Sequence, residues 1–408
     1  MVSQALLKKK ILSDRYNALV FQTGKDHDIF LVGGYIRDLL RGFRAQDRDF
    51  TVGNDFDAFL AKMNIKIPGT IITFKKGKVA RFVVKKGTFF DFTPLHGTLK
   101  HDLSQRDFSI NALAWSPEKG VIDLHDGIQD IGQRIVRAIS KQNILSDPLR
   151  ILRAYRFAAE MNGTIEKTTR NIIKSAHYKI KDASPERITL ELFQLLNQNN
   201  SAKYLKNALD DMVLTDIFPY KSKCLKNNIQ SVSDFERRTK KDSYRIFKAS
   251  LKKTYSQVLI YKGLLCLELM LLPFNTKSVE QSCLRMSRKI LKRLTCFSKG
   301  LEYLEQKRTS DKEQLFHLFY HTKEASPDVL LAKSMTADLK HYRHYISLWK
   351  GRSIKTDLIK NMLDVESGMV LGKIIREVRK AEFLDEIRSE EQARKYIKQN
   401  YPELARSK

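Results

Sequence analysis

Phe30-Leu31-Val32-Gly33-Gly34-Tyr35-Ile36-Arg37-Asp38-Leu39-Leu40-Arg41-Gly42 is followed, five residues on, by Asp47-Arg48-Asp49-Phe50-Thr51-Val52. The first stretch reads as a short apolar strand, a glycine turn, a short helix and a glycine stop, with Ile36, Leu39 and Leu40 on the buried face of the helix. Paired glycines let a backbone pass close to a ligand, and the N–H groups that open a helix are unpaired, so Gly33-Gly34 can face an anion. Arg37, one turn into the helix, can reach the same anion. A tight strand-to-helix turn explains two glycines equally well. No G-x-x-x-x-G-K-[ST] string occurs, which excludes a P-loop.

In the second stretch, Asp47 and Asp49 project from one face if the segment is a strand, because side chains alternate. Two carboxylates about 7 Å apart can hold a pair of Mg²⁺ ions, the arrangement that stabilises both the attacking and the leaving oxygen in phosphoryl transfer. A solvated edge strand is the ordinary alternative. Asp91 lies inside the apolar run Gly87-Thr88-Phe89-Phe90-Asp91-Phe92. An acid in such a strand needs a cation or a hydrogen bond, so Asp91 is either a third catalytic carboxylate or a structural residue.

Working outward, the chain has 408 residues with 74 Lys+Arg against 46 Asp+Glu, a formal charge of +28. The excess runs through both halves, which suits a long polyanionic partner such as nucleic acid. An apolar share of 42% with 10% aromatics fits folded cores and excludes a disordered chain. Cys224, Cys266, Cys283 and Cys296 lack CxxC spacing, which argues against a zinc ribbon or a disulfide scaffold and for a reducing, cytoplasmic setting. No apolar run reaches a membrane span, the start is too lysine-rich for a secretory signal, and no internal repeat is present.

The expected fold class is α+β. Residues 1–137 read as a head with a small mixed sheet, with strands at Ile29–Val32, Val79–Val84 and Thr88–Phe92, the last two joined across a Lys85-Lys86-Gly87 turn. Residues 138–200 read as a helical neck and residues 201–408 as an elongated, all-helical body and tail. The neck signals are a helix over Ile144–Met161, with Asp147 as N-cap and Pro148 at the first helical position, and a second cap at Ser184-Pro185-Glu186.

Two further constellations carry chemistry. In Asp102-Leu103-Ser104-Gln105-Arg106-Asp107-Phe108-Ser109-Ile110-Asn111, the polar Arg106, Asp107 and Asn111 sit among apolar neighbours and need partners. A guanidinium can clamp a phosphate, and an acid–amide pair can hold ribose hydroxyls; a self-satisfied network at a helix start is the alternative. In Ser146-Asp147-Pro148-Leu149-Arg150-Ile151-Leu152-Arg153-Ala154-Tyr155-Arg156-Phe157, steps of three residues keep Arg150, Arg153 and Arg156 within about a 120° arc of a helix. Three such guanidiniums require facing anions, either a triphosphate or the acids of a neighbouring helix. Asp147 and Arg150 together supply an acceptor and donors that can read the edge of a base.

Taken together these strings resemble the class II tRNA nucleotidyltransferase and bacterial poly(A) polymerase family, within the DNA polymerase beta-like nucleotidyltransferase superfamily. The matching elements are L-V-G-G-x-[VI]-R-D with D-x-D, then D-L-x-R-R-D-F-T-I-N-A, then E-D-x-x-R running into D-P-L-R-[IL]-L-R-A-x-R-F-A. The resemblance covers residues 28–200 strongly. It implies that Gly34 and Arg37 bind the triphosphate and that Asp47 and Asp49 bind Mg²⁺. It further implies that Arg106 contacts the nucleotide, Asp107 helps to recognise the sugar, Asp147 and Arg150 select the base without a template, and Arg153 and Arg156 contact the nucleotide. Gln105 and Ser146 depart from the family's Arg and Glu. Ser184-Pro185-Glu186-Arg187-Ile188 with Glu191 resembles the next element, whose part is scaffolding.

The implied reaction is addition of CMP, and as an open alternative AMP, to the tRNA 3′ end from CTP or ATP with Mg²⁺. Only Pro94–His101 separates the Asp91 strand from the Arg106 element. Family members that build the whole CCA end usually have a longer loop there, so CC addition is the expectation. Rival readings are poly(A) tailing of general RNA, nucleotide transfer to a small molecule, and a non-enzymatic RNA-binding protein. In the body, Gln281–Gly300 carries Arg285, Arg288, Lys289, Lys292, Arg293 and Lys299 with no acid, a stretch suited to RNA phosphates or simply to solvent. The sequence sets no oligomeric state.

Overall fold

Two short helices, α1 (Gln4–Leu12) and α2 (Arg15–Thr23), precede the sheet; Ser3 and Asp14 cap them by accepting from the backbone N–H groups of Leu6 and of Tyr16 and Asn17. The computed structural model describes residues 3–404 apart from 46, 68, 75–78, 85–87, 242–243, 245–246, 257, 275, 307–310, 351–353 and 364–367. The chain divides into two compact units, Met1–Ser222 and Lys223–Lys408, so the segments 1–137 and 138–200 fall in one unit.

The first unit is built on seven strands: β1 (Ile29–Val32), β2 (Arg48–Val52), β3 (Gly69–Phe74), β4 (Val79–Val84), β5 (Thr88–Pro94), β6 (Leu113–Ser116) and β7 (Gly120–Asp123). Their spatial order is β3-β4-β5-β2-β1-β6-β7. Neighbours run antiparallel except β2 and β5, which are parallel, so the sheet is mixed. The expected strands are present; the Lys85-Lys86-Gly87 turn lies outside the described residues.

Alternation gives the sheet two different faces. On one, Phe50, Phe90 and Phe92 are fully buried. Phe50 stacks on Phe92 at 5.4 Å, and Phe21 of α2 and Phe59 of α4 (Phe56–Lys66) close over them at 5.8 and 5.2 Å. Each such ring contributes about 1.5–3 kcal/mol by leaving water. On the other face, Val32, Asp49 and Asp91 lie side by side in register, and Arg81 of β4 continues the row. Phe30, Val32, Ala112, Ala114 and Leu103 form a small core on this face at the β1–β6 side.

The helices of the unit are α3 (Gly34–Leu40), α4, α5 (Leu99–Ser104), α6 (Gly127–Gln133), α7 (Lys141–Ser146), α8 (Leu149–Met161), α9 (Lys167–Ala176), α10 (Pro185–Asn197), α11 (Ser201–Asp210) and α12 (Val213–Ile217). A parallel pair, β8 (Ile135–Val136) with β9 (Thr164–Ile165), links the neck segments. The single helix expected over Ile144–Met161 is two helices. Asp147 precedes a proline and takes extended angles (φ −136°, ψ 93°), because proline disfavours the helical region for the residue before it. Asp147 therefore ends α7 instead of capping α8 through its side chain. Ser184 does cap α10, accepting from Arg187 N–H at 3.4 Å.

Among the described residues the second unit is mainly helical, and the hairpin of β10 (Thr254–Ser256) with β11 (Leu259–Ile260) departs from the all-helical body expected of residues 201–408. Its helices are α13 (Ser222–Arg238), α14 (Lys248–Leu251), α15 (Tyr261–Met270), α16 (Thr276–Glu280), α17 (Arg288–Gln306), α18 (Lys312–Thr322), α19 (Ser326–Ala332), α20 (Leu339–Trp349), α21 (Thr356–Asn361), α22 (Met369–Phe383) and α23 (Glu390–Asn400). Phe316, Phe319, Tyr345 and Phe383 make an aromatic core between α18, α20 and α22. Among the described residues no helix is long and apolar enough to cross a membrane, and the four cysteines are free thiols.

Candidate active site

Elements that the sequence spreads from Gly33 to Gln194 meet in one cleft of about 550 Å³ in the first unit. It is lined by Gly33, Gly34, Arg37, Asp47, Asp49, Arg106, Asp107 and Asn111 from the sheet side, and by Asp147, Arg150, Arg153, Arg156, Phe157, Glu191 and Gln194 from the helices. Every expected nucleotide-contacting residue is here; of the three expected carboxylates, Asp91 is not on the lining.

Gly33 has φ +75°, a conformation that L side chains rarely adopt, and a Cβ there would come within 2.9 Å of the Arg106 guanidinium. The turn thus needs glycine, both for its backbone and to let Arg106 lie over it. Arg106 donates to Asp102 at 3.2 Å, yet its Nε is buried with no partner. A buried donor left unpaired is costly, and an anion in the cleft would relieve it.

Asp49 and Asp91 are partners in the parallel β2–β5 register. Burial first, then the Asp91 charge, push the Asp49 carboxyl up to about 6, with Asp47 adding to the effect and Arg106 opposing it. Both oxygens of Asp91 accept from Arg81, Nε and Nη2 each at 2.7 Å, so the Arg81 guanidinium holds Asp91 as a bidentate ion pair. Among the described residues no three acidic, histidine or cysteine side chains form a ready-made metal cage. Asp47 and Asp49 nonetheless fit Mg²⁺, which is held through one or two carboxylates with water and substrate phosphate completing the shell. The raised Asp49 carboxyl is the observation that speaks for it, since a cation would favour its ionised form.

The arginine ladder is met by protein acids. Arg37 donates to Asn111 Oδ1 (2.6 Å), and Asn111 Nδ2 to Asp107 Oδ1 (2.9 Å). Arg153 grips Asp107 Oδ2 through Nε and Nη2 (2.9 and 2.7 Å) and reaches Glu191 at 3.2 Å. Arg156 donates to Glu191 at 2.6 Å and to Glu160 at 3.2 Å, and Glu160 returns to Arg37 at 3.3 Å. The network is a closed ring in which three guanidiniums alternate with three carboxylates and Asn111 is the single uncharged link. The Phe157 ring lies beneath Arg37, Arg153 and Arg156 at 5.0, 5.1 and 3.8 Å. Burial works against the Asp107 charge, but Arg153 and the hydrogen bonds outweigh it and hold the carboxyl below its usual range.

Arg150 differs from its two ladder neighbours. It donates to the backbone oxygens of Asn143 and Gln105, both at 3.0 Å, and among the described residues no carboxylate lies within ion-pair distance. Burial lowers its pKa, Asp107 and Asp147 opposing. Asp147 accepts from Arg187 at 2.8 Å.

Glu191, a scaffolding residue by its sequence, joins this ring, as does Glu160, while Arg81 joins the acid row; the motifs mark neither Glu160 nor Arg81. Glu160 stands four residues after Arg156 on α8, a spacing that pairs side chains on a helix and could have revealed it. Arg81 could be found only from strand register. In the second unit, Arg285, Arg288, Lys289 and Lys292 are exposed, whereas Arg293 is not part of that face. It is 6% exposed and bound to Glu268 (3.1 Å) and Asp328. Its position on α17 turns it inward, where two buried acids demand a cation.

Residues 73–137 match a family model described as the poly A polymerase head domain, and residues 163–225 one described as a probable RNA and SrmB-binding site of polymerase A. A CC-adding tRNA nucleotidyltransferase of Synechocystis is 33% identical over 195 residues, 47% of each chain. Another of that description, from Geobacter sulfurreducens, is 28% identical over 90% of this chain and 91% of the relative. The chain thus spans about half the length of the first relative and nearly all of the second. A solved structure of a Thermotoga maritima CCA-adding enzyme complexed with tRNA superposes with a TM-score of 0.74, 21% identity, 97% of this chain and 98% of that one. That likeness extends the shared fold over both units.

Proposed function

The chain belongs to the class II tRNA nucleotidyltransferase family, and from that premise we propose that it adds nucleotides to the 3′ end of tRNA without a template. The observation that carries the reading is the convergence of Gly33-Gly34, Asp47, Asp49, Arg106 and Arg150 in a single cleft. The RNA 3′ oxygen would bond to the α-phosphorus of an NTP while the bond from that phosphorus to the β-phosphate oxygen breaks, and pyrophosphate leaves. Arg106 and Arg37, over the Gly33-Gly34 turn, would hold the triphosphate. Arg153 and Arg156, fixed by Asp107 and Glu191, would keep the slot in shape around it. Asp147 and Arg150 would read the base. Asp47 and Asp49 would hold Mg²⁺, whose chemistry when bound is to lower the pKa of the attacking hydroxyl and to offset charge on the phosphate. Residues 201–408 would serve RNA binding, with Arg285, Arg288, Lys289 and Lys292 as phosphate contacts. A cytoplasmic setting accords with four free thiols.

The nucleotide specificity we favour is CC addition. β5 ends at Pro94 and α5 begins at Leu99, so only Leu95–Thr98 connects them, with no room for the longer loop expected of complete CCA synthesis. Incubating tRNA that lacks its end with CTP and ATP, and sequencing the 3′ termini, tests both levels. Termini ending in CC support the reading. Termini ending in CCA overturn the CC assignment, runs of A on unrelated RNA favour the poly(A) alternative, and unextended termini overturn the activity.

A further inference from the structure

The acid row divides its sheet face. Across the order β3-β4-β5-β2-β1-β6-β7, the cleft lies toward β1, where Gly33 and Arg106 sit, and β5, β4 and β3 extend the other way from Asp49. Among the described residues this second half is the more exposed one. On β4, Ala80, Phe82 and Val84 are buried on the far face while Val79, Arg81 and Val83 are only half-buried. On β3, Ile72 and Phe74 are 42% and 44% exposed and share the face of Arg81, so they form a patch with it. Arg81 is not free to wander over this surface. Its bidentate bond to Asp91 holds the guanidinium plane in place, with the Phe89 ring 4.3 Å and the Phe74 ring 6.0 Å from it. The result is a surface of flat groups beginning one strand from Asp49.

We propose that this surface takes the terminal bases of the RNA acceptor strand, which stack on Phe74 and on the Arg81 guanidinium. The inference rests on the proposed transfer activity and adds to it the side from which the acceptor enters. In-line displacement places the attacking and leaving oxygens on opposite sides of phosphorus. Pyrophosphate leaves toward Gly33 and Arg106, so the 3′ hydroxyl must come from the β5 side. Flat apolar rings and an arginine plane are what unpaired bases stack on regardless of sequence. Asp91 then acts through Arg81, as a positioning residue.

The test uses the full chain and an acceptor minihelix with 2-aminopurine as its 3′-terminal base. Binding should quench the probe, Phe74→Ala should bind without quenching, and Phe74→Trp should retain it. In CMP incorporation, Phe74→Ala should raise KM for the minihelix about 5- to 150-fold, the range that stacking on an aromatic yields, and leave KM for CTP unchanged. No quenching by the parent, or parent-like quenching and KM in Phe74→Ala, overturns the proposal. So does light scattering that shows a dimer dissociated by Phe74→Ala, since the face would then belong to a second copy. A parent that quenches the probe but incorporates no CMP sinks the activity and leaves the stacking surface standing.

Discussion

Asp107 and Arg153 lie 46 residues apart and are joined by two hydrogen bonds onto a single carboxylate oxygen, at 2.9 and 2.7 Å. The other Asp107 oxygen accepts from Phe108 N–H and Asn111, both at 2.9 Å. The carboxylate is thereby committed to protein donors, which makes it an orienting group for Arg153 rather than a contact to the ribose. Asp107→Asn should lower kcat/KM for CTP by about tenfold or more, and combining it with Arg153→Ala should cost little beyond the worse single variant, because linked groups are not additive. A double-mutant cycle on steady-state kinetics checks this; full additivity would separate the two residues.

Asp49 sets a pH dependence on stability. Its folded-state carboxyl sits at about 6, above the ordinary 3.8. Below about pH 4 both folded and unfolded forms are protonated and nothing is lost. Above pH 6 both are ionised and the penalty is fully present. Without divalent cations, thermal stability should therefore rise as pH falls from 7.5 to 5. Asp49→Asn should raise Tm at pH 7.5 by about 2–5 °C while abolishing nucleotide incorporation. Calorimetry at the two pH values checks the sign.

Arg150, the ladder member with no carboxylate at ion-pair distance among the described residues, should govern base choice. Arg150→Ala should reduce the preference for CTP over UTP about tenfold or more, with a smaller effect on overall nucleotide affinity. Competition between the two nucleotides measures it, and an unchanged ratio would remove Arg150 from base reading.

Arg293 should behave as a core residue. Its removal leaves Glu268 and Asp328 buried, 0% and 4% exposed, without their cation. Arg293→Ala should cost about 3–5 kcal/mol, lowering Tm by roughly 10 °C in a unit of this size. Lys289→Ala, on the exposed side of the same helix, should leave Tm unchanged and weaken RNA binding in a salt-dependent way.

Strands β1, β2, β4 and β5 and helices such as α10 were legible because short apolar runs and 3.6-residue spacing are local signals, as at Ile29–Val32 and Pro185–Asn197, whereas β3, β6 and β7 were not read. The cleft was legible for a different reason: the strings around Gly33, Asp49, Arg106 and Arg150 resemble the family's motifs, whereas each string taken alone also fits an ordinary structural role. What those partners are was not legible. Whether Arg153 faces a phosphate or Asp107, and whether Arg293 faces solvent or Glu268, depends on which helices pack together. Neither spacing nor composition carries that information. The break at Asp147 was visible in the following proline, but a helix-start signal and a helix-stop signal overlap there, and the backbone restriction on Asp147 prevailed.

On the proposed activity, the closed circuit through Arg37, Arg153 and Arg156 would also bear on turnover. Because each guanidinium already has a carboxylate beside it, a phosphate entering the slot would meet partly neutralised cations and not bare ones. On the proposed activity, the same acids would remain beside these guanidiniums when diphosphate departs. A slot wired in this way can hold a highly charged product and still let it go.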